Sequence, residues 1–377
     1  MSRRDPIPLV DLRAQYAEVS PMLEPDLRRL MADASYIGGE EVCAFENEYA
    51  HFVSTAHCIG VGNGTDALEL SLRAVGVEAG DEVVLPANTF VATAEAVVRI
   101  GAVPVLVDVA PDTLLIDPTL MGGVLTRRTR AVVPVHLYGQ VAPMERLHEL
   151  LRGTRVALVE DAAQAQGASR RGVPAGSLGH VAATSFYPGK NLGAAGDAGA
   201  VTTSDPQVAE RVRLLANHGG LRKYEHKVVG WNSRLDAVQA VVLRHKLRRL
   251  SQWNEQRRAL AGRYSERLSG VHGVTLPVWD PEGVHVWHLY VVQVPERDRV
   301  LDSLHREGIG AGVHYPVPIH LTGAFRYLGY ERGAFPVAEQ AARHMLSLPL
   351  YPHLSYEQQD IVIDVLERAL AGELVAS

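Results

Sequence analysis

Lys190 is the residue whose position is best suited to covalent chemistry. It lies in the segment 185–193, after a short apolar run (181–184) and before a glycine-rich turn (193–199). A lysine that leaves a strand end among small neighbours gives a bulky carbonyl compound room to reach its amine. Lysines that form Schiff bases need that access, together with surroundings that favour the free amine. Taken alone, the segment is more typical of an exposed loop lysine, so the hypothesis of a reactive lysine depends on other residues.

A second candidate is an acidic residue at the end of an apolar stretch. Residues 156–160 predict a buried strand that leads into Asp161, with Gln164 three residues further on. In a parallel sheet the carboxyl ends of the strands form the ligand crevice. A buried carboxylate needs a cationic partner, and a protonated pyridine nitrogen is one whose pKa the carboxylate would raise. Gln164 would point the same way and donate to an oxygen of the same ring. An ordinary acid that caps the next helix is the alternative.

A third candidate is a glycine-rich turn between a strand and a helix. Residues 60–68 alternate glycine with other residues, and Gly64 and Thr65 lie where the helix should begin. Free N–H groups at such a helix start bind phosphate. A dinucleotide site with Asp81 as its acidic residue is the alternative, but that acid belongs at the end of the second strand and Asp81 precedes one. A turn with only a structural role is a further alternative.

Two further residues fit the same kind of site. Phe90 lies at the tip of the turn 86–92, where an aromatic ring could cover a planar ligand, although a core phenylalanine is the alternative. Ser185, at the end of the strand before Lys190, offers a hydroxyl to a phosphate. A phosphate, an aromatic ring, a basic ring nitrogen and a carbonyl group are together the parts of pyridoxal 5'-phosphate (PLP). The sequence therefore predicts one crevice that binds PLP.

The elements that would position these residues alternate along the chain. Seven apolar runs of strand length are separated mostly by helical patterns; they lie at 58–61, 83–86, 103–107, 131–135, 156–160, 182–186 and 200–203. Such a pattern predicts an α/β fold with a mostly parallel seven-stranded sheet between helices. Helices are expected at 22–32, 42–53 and 236–253, and beyond them a strand at 286–294. We expect an N-terminal arm with a large α/β domain at 1–253, and a small C-terminal α+β domain at 254–377.

Composition excludes several classes of protein. The chain has 377 residues, a net charge of −6 and no basic run, which gives no support for nucleic-acid binding. Two cysteines argue against a disulfide scaffold, and the sixteen histidines show no tight metal-ligand spacing, so no metal is expected. No apolar window approaches a membrane span, and residues 1–6 lack the apolar stretch of a signal peptide. A soluble cytoplasmic protein is the expectation.

The sequence resembles the nucleotide-sugar aminotransferases of the DegT type, which are PLP enzymes of fold type I. The resemblance covers nearly the whole chain and is carried by residues 63–68, 80–83, 134–139, 160–164, 185–193 and 232–236. By position, it implies that Lys190 is the Schiff-base lysine and Asp161 the pyridinium partner. It further implies that PLP is contacted by Gln164, Phe90, Gly64, Thr65 and Ser185. Asn232 would reach the phosphate in the other subunit, which implies a homodimer with shared sites.

The same resemblance narrows the reaction. Related dehydratases carry histidine in place of Lys190, so the lysine favours transamination. The segment 185–193 is similar to that of enzymes that aminate carbon 3 of dTDP-keto-6-deoxyhexoses for deoxyaminosugars of antibiotics, with L-glutamate as donor. Amination at carbon 4, a PLP sugar dehydratase, an NAD-dependent sugar oxidoreductase and a non-catalytic regulator are the alternatives. The residues implied to meet the nucleotide sugar are Tyr187, Tyr224, His226, His314, Tyr315 and His320.

Overall fold

The computed structural model describes residues 5–222 and 224–373, which form an α/β structure. The α-helices are α1 (Leu12–Asp33), α2 (Glu40–Phe52), α3 (Gly64–Ala74), α4 (Val91–Arg99), α5 (Met144–Leu151), α6 (Pro206–Ala216), α7 (Ala237–Arg267), α8 (Arg297–Arg306), α9 (Pro336–His344) and α10 (Tyr356–Leu370). Short 3₁₀ helices span Pro118–Gly123, Leu137–Gly139, Ile319–Leu321 and Gly323–Leu328. None of the helices in these described ranges is long and apolar enough to cross a membrane.

The strands build one large sheet and two small ones. They are β1 (His57–Val61), β2 (Glu82–Pro86), β3 (Val103–Val107), β4 (Thr129–Val132), β5 (Ala157–Asp161), β6 (Ser169–Arg170), β7 (Val173–Pro174), β8 (Val181–Ser185), β9 (Gly199–Thr203), β10 (Gly283–Val284), β11 (Tyr290–Gln293) and β12 (Met345–Leu348). The large sheet has the order β1-β9-β8-β5-β4-β2-β3. The small sheets are β10-β6-β7 and β11-β12.

The large sheet is mostly parallel, as the sequence predicted. β3, β2, β4, β5 and β8 pair in parallel, and only β9 runs against its neighbours β1 and β8. Every residue of β2 and β5 is buried, which is why these strands are apolar without alternation. All seven predicted strands are present. The expected strand at 131–135 differs most, since β4 ends at Val132.

Two helices are longer than the sequence predicted. The helix expected at 22–32 begins at Leu12, because the Asp11 carboxylate accepts from the N–H groups of Arg13 and Ala14 and caps it there. The helix expected at 236–253 continues to Arg267. Its last turns carry Leu260, Ala261 and Tyr264 into the core of the C-terminal part, so it passes the predicted boundary at 253. That boundary stays a prediction.

The C-terminal part packs α8, α10 and the end of α7 around the β11–β12 pair. The strand expected at 286–294 is shorter, spanning only Tyr290–Gln293. Residues 287 and 288 are held instead by the buried Arg257 of α7, whose guanidinium donates to both of their carbonyl oxygens. This contact brings His288 against the carboxyl edge of the large sheet, where it lines the main cavity.

Candidate active site

The carboxyl ends of the parallel strands open into a cavity of about 740 Å³. This is the size typical of small-molecule sites. Ten of the residues that the sequence singled out lie in its wall: Gly64, Thr65, Phe90, Asp161, Gln164, Ser185, Tyr187, Lys190, His314 and Tyr315. Six of them end or follow β2, β5 or β8, which are parallel and end at the same edge of the sheet. Gly64 and Thr65 begin α3 after β1, and His314 and Tyr315 lie after α8.

Lys190 enters the cavity from a tight turn after β8. Its backbone N–H donates to the carbonyl oxygen of Tyr187 at 2.8 Å, which reverses the chain directly after Ser185. Burial lowers the pKa of the Lys190 amine to about 8, although the nearby Asp161 carboxylate opposes that shift. About a tenth of the amine is therefore unprotonated at pH 7, and this free fraction, which a nucleophilic lysine requires, rises with pH.

Asp161 ends β5 and is 5% exposed. Its Oδ2 accepts from the hydroxyl of Thr93 at 2.8 Å, and its Oδ1 accepts from the N–H of Ala163 at 3.2 Å. Thr93 is in turn 2.8 Å from the hydroxyl of Thr89. Burial raises the pKa of Asp161, while these donors and the Lys190 charge act in the opposite direction. A bound cation at this carboxylate would remove the cost of burying it.

The start of α3 forms a cradle against the end of β8. The Asn63 side chain accepts from the N–H of Asp66, and its carbonyl oxygen accepts from Ala67, so the N–H groups of Gly64 and Thr65 stay without a partner among the described residues. A Cβ on Gly64 would lie 2.6 Å from the Cβ of Ser185. Only glycine permits this approach, which sets the Ser185 hydroxyl beside two free donors. Such a group of donors suits a phosphate.

Aromatic and amide groups form the opposite wall. The rings of Phe90 and Tyr315 are 5.4 Å apart between centroids, and half of the Phe90 surface is exposed. Gln164 accepts from the N–H of Tyr138 at 2.6 Å through its oxygen and donates to the Tyr315 hydroxyl at 3.0 Å through its nitrogen. The amide nitrogen is thus the end of Gln164 that faces the cavity, as donation to a ligand oxygen requires.

These residues fit PLP. The cradle of Gly64, Thr65 and Ser185 suits its phosphate, the buried Asp161 carboxylate suits its ring nitrogen, and the Lys190 amine suits its carbonyl carbon. The alternative with a dinucleotide does not fit. Asp81 lies outside the cavity, where its carboxylate accepts from the N–H of Glu78 and pairs with Arg130 at 3.6 Å.

The structure does not bring four of the predicted residues into this cavity. Tyr224, His226 and Asn232 are exposed and lie in or next to the loop between α6 and α7. His226 donates there to the carbonyl oxygen of His218 at 2.8 Å. Their contacts with a nucleotide sugar or with PLP of a second subunit stay predictions.

His320 is a correction to the predicted set. It is 1% exposed, its Nε2 lies 3.0 Å from a carboxylate oxygen of Glu339, and its ring packs on the edge of Phe335. A side chain enclosed in this way presents no edge to a ligand. The resemblance to the family implied a contact with the sugar at this position, but the contact with α9 that buries His320 is long-range.

Sequence reasoning also missed residues that the cavity contains. Thr93 lies inside α4, where a single threonine gives no signal, yet it is the side chain that donates to Asp161. His288 was included in a predicted strand, although it lines the cavity next to Leu289. Residues 286–292 are apolar or aromatic except for His288 and show no alternation, so no local pattern marks the face that meets the cavity.

Comparison with known proteins agrees with this site. A family model described as the DegT/DnrJ/EryC1/StrS aminotransferase family matches residues 22–367. The chain is 48% identical over 361 residues to the erythromycin biosynthesis sensory transduction protein EryC1 of Saccharopolyspora erythraea, covering 96% of this chain and 99% of that protein. It is 46% identical over 360 residues to the dTDP-3-amino-3,4,6-trideoxy-alpha-D-glucose transaminase of Streptomyces venezuelae, covering 96% and 95%.

A solved structure is similar over almost the full length. The crystal structure of S. venezuelae DesV in complex with a ketimine intermediate superposes with a TM-score of 0.95 and 45% identity, covering 97% of this chain and 98% of that chain. The predicted fold class, that of PLP-dependent aminotransferases with a mostly parallel sheet, is confirmed. The dependence on PLP is confirmed with it.

Proposed function

The chain belongs to the DegT/DnrJ/EryC1/StrS aminotransferase family, and from that premise we propose that it aminates carbon 3 of a dTDP-keto-6-deoxyhexose. L-Glutamate is the proposed amino donor. The reaction itself, PLP-dependent transamination of a nucleotide sugar, is that of the family. Carbon 3 is supported by the S. venezuelae relative, whose name places the amino group there. Amination at carbon 4 is the second candidate.

One observation carries the proposal. The Lys190 amine, the Asp161 carboxylate and the cradle of Gly64 and Ser185 meet in a single cavity, although Gly64 lies more than a hundred residues before Lys190 in sequence. A dehydratase of the same fold would lack this lysine. A regulator without catalysis would have no need of a lysine whose pKa is lowered to about 8 in that cavity.

PLP, when bound, supplies a carbonyl group that condenses with amines and a ring that takes up negative charge. Lys190 would hold that carbonyl carbon between reactions, and its amine, once free, would accept a proton from the donor's α-carbon and release it again. The lowered pKa suits both tasks, because the amine must accept a proton and release it again near neutral pH.

The other residues of the cavity bind and orient. Asp161, aligned by Thr93 and Ala163, keeps the ring nitrogen protonated and so strengthens the ring as an acceptor of charge. The free N–H groups at the start of α3 and the Ser185 hydroxyl hold the phosphate. Phe90 covers one face of the ring and keeps water from it.

Four parts of the proposal go beyond the family relationship. They are the donor L-glutamate, the position of the keto group, a location in the cytoplasm, and a homodimer in which Asn232 reaches the partner's phosphate site. The homodimer is supported by the exposure of Asn232 and of the apolar side chains near it, since Val229 is 94% exposed and Val228 and Leu221 are about half exposed. Apolar exposure of this extent is typical of an interface.

The test is a visible absorption spectrum of the purified PLP-loaded protein before and after L-glutamate is added. A band that bleaches with L-glutamate would establish the donor half of the reaction, which the family chemistry predicts to follow ping-pong kinetics. The aminated enzyme is then offered dTDP-3-keto and dTDP-4-keto-6-deoxyhexoses. Return of the band with the 4-keto sugar alone would refute carbon 3. A protein that stays colourless with PLP would refute the cofactor site.

Two lysine variants distinguish a role of Lys190 in catalysis from the general effect of removing a buried lysine. Lys246 on α7 is also buried, and burial lowers its pKa to about 8, but it does not line the cavity. Lys190→Ala is expected to abolish turnover, whereas Lys246→Ala should keep it. Full turnover in Lys190→Ala would show that the scheme is wrong.

A further inference from the structure

The cavity wall beside Lys190 contains a histidine whose hydrogen positions are fixed by its neighbours. His288 lines the cavity and is 8% exposed. Its Nδ1 lies 3.1 Å from Oδ1 of Asn191, the residue that directly follows Lys190. The ring is therefore one hydrogen bond away from the turn that carries the reactive lysine.

The Asn191 amide has only one possible orientation. Its Nδ2 lies 3.0 Å from the carbonyl oxygen of Val286 and 2.9 Å from Oδ1 of Asn254. A backbone carbonyl can only accept, so the atom facing it must be the nitrogen. Asn254 is fixed in the same way, because its Nδ2 donates to the carbonyl oxygen of Gln166 at 2.9 Å. The oxygen of Asn191 must then be the atom that faces His288.

This orientation decides the tautomer of His288. An amide oxygen only accepts, so Nδ1 of His288 must carry the hydrogen, and a neutral imidazole then has none on Nε2. Within residues 5–222 and 224–373, Nε2 makes no hydrogen bond, and it is not one of the fully buried polar atoms that lack a partner. It is therefore an acceptor that is open to the cavity.

The surroundings oppose a second proton on the ring. Burial lowers the pKa of His288 well below its ordinary value, and the charges that face it act in the same direction. The charged groups are Lys190, from the turn after β8, and Arg257, from α7. His314, which lies between α8 and the 3₁₀ helix Ile319–Leu321, adds to the shift only when its own ring is protonated, and burial lowers the pKa of His314 to about 4. The Arg257 guanidinium is fully buried, with only carbonyl oxygens as partners, among them that of His288 itself. Burial and these charges therefore all favour the neutral ring over the imidazolium.

We propose that Asn191 locks His288 as the Nδ1–H tautomer, so that its Nε2 presents a fixed hydrogen-bond acceptor to the cavity it shares with Lys190, and that the protonated Lys190 amine donates to it during the reaction. The inference rests on the proposed function, because it concerns the stage at which Lys190 carries a proton. An acceptor holds one N–H of that amine in place, whereas an imidazolium would repel it. In this proposal His288 accepts from the protonated amine, and Asn191 is a positioning residue that acts through His288.

The first test is nitrogen NMR of the protein with ¹⁵N-labelled histidine, recorded without PLP. The resonances of His288 are identified by their loss in His288→Phe. We expect a protonated Nδ1 and an unprotonated Nε2 that do not titrate. A hydrogen on Nε2 overturns the proposal. Lys190→Met is expected to leave the tautomer unchanged, because Asn191 and not Lys190 fixes it, and a hydrogen that moves to Nε2 in this variant overturns the lock.

The second test favours a positive charge on the His288 ring by replacing Asn191, the residue that fixes its tautomer. In Asn191→Asp a carboxylate faces Nδ1, which stabilises the imidazolium and places a hydrogen on Nε2. We expect kcat to fall about tenfold per pH unit on the acid side and to recover as the ring loses its proton at higher pH. Asn254→Asp is the matched control, since it places the same charge one side chain further from the ring. Its loss of kcat should not depend on pH.

The outcomes separate this inference from the proposed function. A pH-independent loss in Asn191→Asp, or the same acid limb in both variants, overturns it. The NMR result on the wild-type protein needs no turnover and no variant that folds poorly. The tautomer is therefore decided even if the expected sugar is not aminated, and a failure of amination alone would count against the proposed substrate instead.

Discussion

Adding one methyl group to Gly64 should weaken PLP binding, because the phosphate cradle depends on a close approach of two segments. The new Cβ would lie 2.6 Å from the Cβ of Ser185. Carbon atoms in contact are normally about 3.5–4.0 Å apart, so α3 and β8 must separate by about 1 Å. A hydrogen bond from Gly64 or Thr65 to the phosphate, at a usual length of about 2.9 Å, would then stretch to nearly 4 Å and be lost.

The expected size of the effect follows from that lost bond. A hydrogen bond to a charged group contributes about 1.5–3 kcal/mol, and about 1.4 kcal/mol is a tenfold change in affinity. Gly64→Ala should therefore raise the Kd for PLP by about tenfold to about 150-fold. The assay is a titration of PLP-free protein with PLP, followed by the visible absorption band.

Gly62→Ala is the control in the same turn. Its Cβ would lie 3.4 Å from the Ser233 hydroxyl, which is ordinary contact, and neither glycine has a positive φ. We expect its Kd for PLP to stay within about twofold of the wild type. If Gly64→Ala bound PLP as tightly as the wild type, or if both variants lost the same affinity, the cradle would not be the phosphate site.

Three further predictions concern Asp161, Lys190 and the buried Arg257. Thr93→Val removes the hydroxyl that donates to the Asp161 carboxylate and should lower kcat by about tenfold or more, since a hydrogen bond to a charged group contributes about 1.5–3 kcal/mol; unchanged steady-state kinetics would contradict this role. Because burial lowers the pKa of Lys190 to about 8, its amine is protonated below that pH and free above it. The rate at which PLP-free protein takes up PLP should therefore rise with pH and level off above about 8, and a rate that falls over this range would be inconsistent. Arg257→Met leaves the carbonyl oxygen of Leu350 without its donor at 2.8 Å and should lower the free energy of unfolding by about 1–3 kcal/mol in urea titrations. A variant as stable as the wild type would show that water replaces the guanidinium.

The positions of the reactive groups in the chain could be predicted because they follow from local patterns. Apolar runs without alternation identify strands that are covered on both faces, and the residue after each run lies at the carboxyl edge. Asp161 and Lys190 were found in this way. Gly64 was found from the change of a strand pattern into a helical one. These signals need only neighbours in sequence, which is why the seven strands differ from prediction by few residues.

Contacts between distant segments were not predictable from such patterns. The enclosure of His320 depends on Glu339 and Phe335 of a later segment. The length of α7 depends on the C-terminal core into which its last turns pack. The sequence neighbours of a residue do not depend on its tertiary contacts. They therefore cannot show whether a histidine faces a ligand or is buried against another side chain.

The sequence by itself determined that this chain has a strand-end lysine, a strand-end aspartate and a helix start suited to phosphate. Tertiary structure alone decided how they act. It set the pKa of Lys190 through burial, aligned Asp161 through Thr93, and fixed the hydrogen of His288 through Asn191. The reason is physical: electrostatic and hydrogen-bond energies depend on distance and burial in space, and only the folded chain sets these.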